Sequence, residues 1–147
     1  MTVIAWDGKT LAADKLACFG ATRGTVTKIF RSGSCLLAVA GNLSAGMEMI
    51  EWFKAGAVPA DYPPGNRTEN SGASLIVVRS DRTVWKFESS PAPFRVEGDF
   101  CAFGCGDESA LIAMECGKSA REAVELTSKY NTGCGNGTDA LALEGDA

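Results

Sequence analysis

Thr2 follows Met1 directly and heads the apolar run Thr2-Val3-Ile4-Ala5-Trp6. Trimming of Met1 is expected before a side chain as small as threonine, and it would leave an amine and a hydroxyl on one residue. An α-amine with a pKa near ~8 accepts a hydroxyl proton close to neutral pH, so one residue would supply both nucleophile and base. The chain contains no histidine, which excludes a Ser-His-Asp or Cys-His arrangement. Two charged residues interrupt apolar runs: Asp14 after Ala12-Ala13, and Lys28 within Val26-Thr27-Lys28-Ile29-Phe30. Either both side chains face water, or they point inward, where a charge must be paired or hydrogen-bonded. Of the six cysteines, Cys105 and Cys134 stand apart because each lies between glycines. The others, such as Cys35 before Leu36-Leu37, read as reduced, unpaired small hydrophobes. With no C-x-x-C pair and no histidine, a structural metal site is not expected.

The elements that must position these residues follow from periodicity. Residues 2–6 and 10–18 read as two strands joined by the turn Asp7-Gly8-Lys9. Thr25–Phe30 predicts a further strand carrying Lys28, and Leu36–Ala40 a buried one. From Leu43 the period becomes helical through Met47, Ile50, Phe53 and Ala57, with Asn42 as the cap. These side chains are expected to serve in packing or in contacts between subunits. Pro59 to Gly72 reads as an exposed loop. Strand character returns at Ser74–Arg79, Thr83–Phe87, Phe94–Val96 and Phe100–Phe103. A second helix begins near Asp107, where Asp107-Glu108 suits a helix N-terminus. A third opens on the capping box Ser119-Ala120-Arg121-Glu122 and runs to about Tyr130. Gly133–Gly137 reads as a helix C-cap and turn into a last strand, Thr138–Leu143. This order predicts an α+β layering in which helices cover antiparallel sheets.

At 147 residues the chain is expected to form one domain, residues 1–147. A net charge of −4 argues against nucleic acid or an anionic membrane as partner. The apolar runs Leu36–Ala40 and Leu75–Val78 are strand-sized, too short to span a bilayer. The N-terminus lacks the charged-then-apolar pattern of a signal peptide, so a cytoplasmic location is expected. Trp6, Trp52 and Trp85 read as core or interface residues. Gly104-Cys105-Gly106 lacks the lysine and the serine or threonine that a phosphate-cradling loop needs.

In order along the chain, several segments resemble the proteasome β-subunit and HslV-type peptidases, which are N-terminal nucleophile (Ntn) hydrolases. Thr2-Val3-Ile4-Ala5 with Gly8 and Leu11-Ala12-Ala13-Asp14 is similar to their opening strand pair, and Thr25-Val26-Thr27-Lys28-Ile29 to their lysine strand. Ala38-Val39-Ala40-Gly41 matches the segment ending in the oxyanion-hole glycine. The likeness continues through Ala102–Gly106, Ser119–Ala123 and Asn131–Gly137, although the chain ends sooner after its last matched strand than is usual for the family.

The resemblance implies a four-layer αββα sandwich, two antiparallel sheets flanked by helices. It implies that Thr2 Oγ attacks a carbonyl with its own amine as base, and that Lys28 lowers the amine pKa and favours the attacking alkoxide. Asp14 would hold Lys28 protonated, and the N–H of Gly41 would stabilise the oxyanion, a contribution of roughly 3–4 kcal/mol where one such donor has been removed. The sequence departs from the family at Cys105 and Cys134, where serines are usual, and at Asn131, where an aspartate is usual. No cofactor or metal is implied. The implied partners are a peptide or unfolded protein substrate, copies of the chain in a homo-oligomeric ring, and an ATPase unfoldase. Three functions are therefore expected to compete: a threonine-type endopeptidase, an amidase acting on small amides, and a catalytically weak or inactive ring or scaffold protein.

Overall fold

Residues 1–64 and 72–144 are described by a computed structural model. The strands are β1 (Ile4–Trp6), β2 (Thr10–Asp14), β3 (Leu16–Phe19), β4 (Thr22–Thr25), β5 (Ile29–Ser32), β6 (Cys35–Gly41), β7 (Ala73–Val78), β8 (Val84–Phe87), β9 (Phe94–Val96), β10 (Cys101–Phe103) and β11 (Thr138–Ala142). The helices are α1 (Leu43–Lys54) between β6 and β7, and α2 (Asp107–Glu115) and α3 (Ala120–Tyr130) between β10 and β11. Three antiparallel sheets result: β10-β1-β2-β11, β5-β6-β7-β8-β9 and the small hairpin β3-β4.

Alternation along the central strands sets the layering. β1 and β2 turn Ile4, Trp6, Leu11 and Ala13 to one side, while Ala5 and Ala12 face the other. β6 and β7 do the same: Leu36, Ala38, Ile76 and Val78 join the first group, and Leu37, Val39, Leu75 and Val77 pack with α1. The two larger sheets thus face one another across a shared apolar core. The outer face of the four-stranded sheet is covered by α2 and α3 through Ala110, Met114, Ala120, Ala123 and Val124. Both faces of these strands are apolar, which is why β6 and β7 read as unbroken apolar runs.

Two of the helices, α1 and α3, begin at side-chain caps. The Asn42 side chain accepts from Ala45 N at 3.0 Å, and Ser119 with Glu122 forms both bonds of a capping box. Ile50, on the buried face of α1, is 2% exposed, and Met47 and Phe53 are half-buried against the same core, so these residues pack within the chain. The fold is a mixed α+β one, and no helix among the described residues is long and apolar enough to cross a membrane.

Four expectations need correction. The strand expected over 10–18 splits after Asp14, and β3 leaves for a third sheet that the two-sheet expectation did not contain. The strand expected over Thr25–Phe30 splits too, leaving Lys28 in the link between β4 and β5. α3 closes at Asn131, which is extended (φ −90°), rather than at a glycine; 133–137 is only the turn into β11. The loop expected from Pro59 begins with a 3₁₀ turn at Pro59–Asp61, and Tyr62 is then buried with its ring edge-on to Trp52. The part of that loop at 65–71 lies outside the described residues.

Candidate active site

Asp14 explains both strand breaks. Its Oδ1 accepts from Val3 N at 3.0 Å and from Lys28 Nζ at 2.8 Å. Its Oδ2 accepts from Leu16 N at 3.3 Å and Gly135 N at 3.0 Å. Four donors thereby use the four acceptor positions of a carboxylate, and a chain that folds back to supply Leu16 N cannot continue as a flat strand. The link carrying Lys28 is pinned at both ends: Val26 N donates to Lys15 O at 2.8 Å, and Val39 N donates to Lys28 O at 3.0 Å.

Lys28 is equally satisfied. Its ammonium donates to Asp14 Oδ1, to Thr2 Oγ at 3.2 Å and to Met1 O at 3.0 Å, three acceptors for three protons. Asp14 is 0% exposed, Lys28 4% and Thr2 5%, which removes the alternative of solvated faces. Such a pair survives burial because every lone pair and proton has a partner. Thr2 Oγ also donates to Met1 O at 2.7 Å. Its nitrogen, an amide while Met1 is attached, donates to Cys105 Sγ at 3.4 Å.

The opposite wall is formed by 104–106 and 131–135. Cys105 reaches Thr2 directly, whereas Cys134 and Asn131 stand one step back. Cys134 Sγ lies 3.8 Å from Cys105 Sγ. The Asn131 side chain accepts from Gly133 N at 2.8 Å and donates to Cys105 O at 3.5 Å, so it braces the loop that carries Cys105. Burial first, then the neighbouring Cys105 and Asp14, push the Cys134 thiol up to about 12. It is a neutral group at physiological pH.

Gly41 ends β6 at φ +98°, just before the α1 cap, and a Cβ there would lie 2.8 Å from Gly72 O. It lines two cavities. One, of about 230 Å³, includes Thr2 and Lys28 with Leu16, Val26, Val39 and Leu43. The other, of about 480 Å³, is more polar and includes Gly104, Lys86, Glu88 and Asp107. A carbonyl held near Gly41 therefore has an apolar recess on one side and a polar one on the other.

Sequence reasoning missed the backbone partners of this site. Gly135 offers an N–H to Asp14, and Gly104 (φ +93°) packs so closely on Thr2 that a Cβ would lie 2.2 Å from Thr2 O. The Gly-Cys-Gly runs were the available signal. All six cysteines are free.

No family model matches the chain, and no curated protein does. Its structure is similar to that titled "Thiobacillus denitrificans BPH in complex with Epoxomicin", with a TM-score of 0.71 and 19% identity over 97% of each chain. A second structure, "Thiobacillus denitrificans BPH", gives a TM-score of 0.69 and 19% identity over 96% of each chain. At that identity the likeness is one of fold.

Proposed function

We propose that this chain is a threonine-type peptidase of the proteasome-like Ntn class, a single domain with the αββα layering of that class. The observation that carries this reading is a hydroxyl, Thr2 Oγ, 3.2 Å from a buried ammonium that is held in turn by a fully bonded carboxylate. The similarity in fold to a protein solved with epoxomicin supports it.

Removal of Met1 converts the Thr2 nitrogen from an amide into a base and frees its hydroxyl from the Met1 carbonyl. The amine then takes the Oγ proton while the adjacent Lys28 ammonium favours the alkoxide. Oγ attacks the scissile carbonyl, and the N–H of Gly41 receives the oxyanion. Collapse returns the proton to the leaving amine and leaves an ester on Thr2, which water hydrolyses by the same path. The proposed substrates are peptides or unfolded protein, and the proposed setting is a homo-oligomeric ring with an ATPase unfoldase as feeder. A scaffold without turnover is the second reading. It is favoured by Asn131, whose amide is engaged with Gly133 and Cys105 and places no anion beside the Thr2 nitrogen.

Epoxomicin separates the two readings. An epoxyketone offers a ketone carbon to a hydroxyl and an epoxide to an amine, so it reports a residue carrying both. Intact-mass measurement is expected to find a single adduct, on Thr2 of protein lacking Met1. Trimmed protein that forms none supports the scaffold. Turnover of small amides but not peptides would reassign the enzyme as an amidase, and a single-chain mass by light scattering would exclude the ring.

A further inference from the structure

The sulfurs of Cys105 and Cys134 lie 3.8 Å apart beside Thr2, and they differ sharply in access. Cys105 is exposed, whereas Cys134 is 1% exposed. A reagent from solvent meets Cys105 first. The Thr2 N–H donated to Cys105 Sγ at 3.4 Å holds that sulfur at the mouth of the site. Cys134, its thiol held protonated by burial, reacts only with a group brought against it.

A disulfide requires sulfurs at ~2 Å, so the pair must close by roughly 1.8 Å. The backbone on either side of the pair is tied to the site. Gly104 packs on the Thr2 backbone, and Gly106 N donates to Thr2 O at 3.2 Å. On the other side Gly135 N holds Asp14 Oδ2 at 3.0 Å. Drawing the sulfurs together therefore pulls on the segment that positions Thr2 and on the carboxylate that anchors Lys28.

We propose that Cys105 is a peroxide-reactive modification site resolved by Cys134, and that the disulfide between them reversibly closes the Thr2 site. The Cys105 thiolate attacks one peroxide oxygen, the O–O bond breaks, and hydroxide leaves a sulfenic acid. Cys134 Sγ then attacks that sulfur, and its proton departs with the displaced hydroxide as water. Overall two thiols lose two electrons and two protons, and one peroxide becomes two waters. A dithiol reductant reverses the bond. The gating rests on the peptidase reading; the disulfide does not.

The test treats reduced full-length protein with equimolar hydrogen peroxide, then denatures it and alkylates free thiols. Cys105 and Cys134 are expected to be protected together, with a mass lower by two hydrogens, and dithiothreitol is expected to restore both. Epoxomicin addition to Thr2 is expected to slow by about tenfold in the oxidised form, the size of one lost hydrogen bond, and to recover on reduction. In Cys134→Ser the reaction is expected to stop at a Cys105 sulfenic acid, trapped by dimedone. If peroxide oxidises the exposed Cys18 and Cys116 while Cys105 and Cys134 remain alkylatable, the proposal is overturned. A disulfide that leaves the epoxomicin rate unchanged overturns the gating while the peptidase reading stands. Absence of any epoxomicin adduct in both forms removes the peptidase reading and the gating together, and the mass measurement still decides the disulfide.

Discussion

Four donors converge on the Asp14 carboxylate, and losing that acceptor strands all of them. Asp14→Ala leaves an ammonium that is 4% exposed without its counter-charge and three backbone N–H groups without their acceptor. Breaking a buried pair from one side costs about 3–5 kcal/mol, so urea unfolding is expected to show a loss of that size. A loss below about 1 kcal/mol would be that of a solvated ion pair and would contradict the burial. Thr2→Ala separates chemistry from stability. It removes one hydroxyl with two hydrogen bonds, a cost of about 1–2 kcal/mol, yet it is expected to abolish the epoxomicin adduct and any peptide turnover. Turnover by Thr2→Ala at the wild-type rate would sink the nucleophile assignment.

At the scale of elements, the glycines beside the site carry a conformational demand that their neighbours do not share. Gly104 sits at φ +93° with a virtual Cβ 2.2 Å from Thr2 O and 2.8 Å from Thr2 C. Both contacts are backbone and cannot swing aside. Gly104→Ala is expected to cost about 3 kcal/mol and to displace Thr2, lowering both melting temperature and epoxomicin rate. Gly33→Ala is the control: φ is +57° with nothing within 4 Å, so only the left-handed penalty of about 1–2 kcal/mol applies and the epoxomicin rate is expected to hold. An unchanged epoxomicin rate in Gly104→Ala would show that this packing does not position Thr2. These elements also mark what the sequence discloses. The three helices were legible because their signals are local: the period and cap of α1, the acidic first turn of α2 and the capping box of α3. So were Thr2, Asp14 and Lys28, a small polar residue at a strand head and charges inside apolar runs. The strand breaks after Asp14 and before Ile29 were not legible, because apolar residues resume at Leu16 and Ile29 after each charge, as they would in a continuous strand. Their cause is the inward Asp14 carboxylate, one of whose partners, the N–H of Gly135, lies 121 positions away. Likewise Asp7 was legible as a turn residue through Lys9 N and Thr10 N, but not as the acceptor for Ala120 N at the start of α3.

At the scale of the whole molecule, two thiols report on two different cores. Cys101 lies between the facing sheets, and Cys134 lies under the helices of the four-stranded one. Burial pushes the Cys101 thiol up to about 12. An unfolded thiol ionises near ~8.5, so the folded chain binds a proton that the unfolded chain releases. This contribution is fully present below pH ~8.5 and is lost as pH rises through the folded value, with a slope of at most about 1.4 kcal/mol per pH unit for each such group. Urea unfolding at pH ~8 and pH ~10.5 is therefore expected to show a marked loss of stability at the higher pH. Cys101→Ala is expected to be less stable at the lower pH, because packing is lost, but to decline less steeply. Cys116→Ala, at an exposed position, is expected to keep the wild-type slope. Cys101 pairs with Trp6 across β10 and β1, so its side chain is dry only if the four-stranded sheet is closed over by the five-stranded one. Equal alkaline slopes in wild type and Cys101→Ala would mean that water reaches this thiol, and the facing-sheet arrangement that holds Thr2, Asp14 and Lys28 together would fail with it.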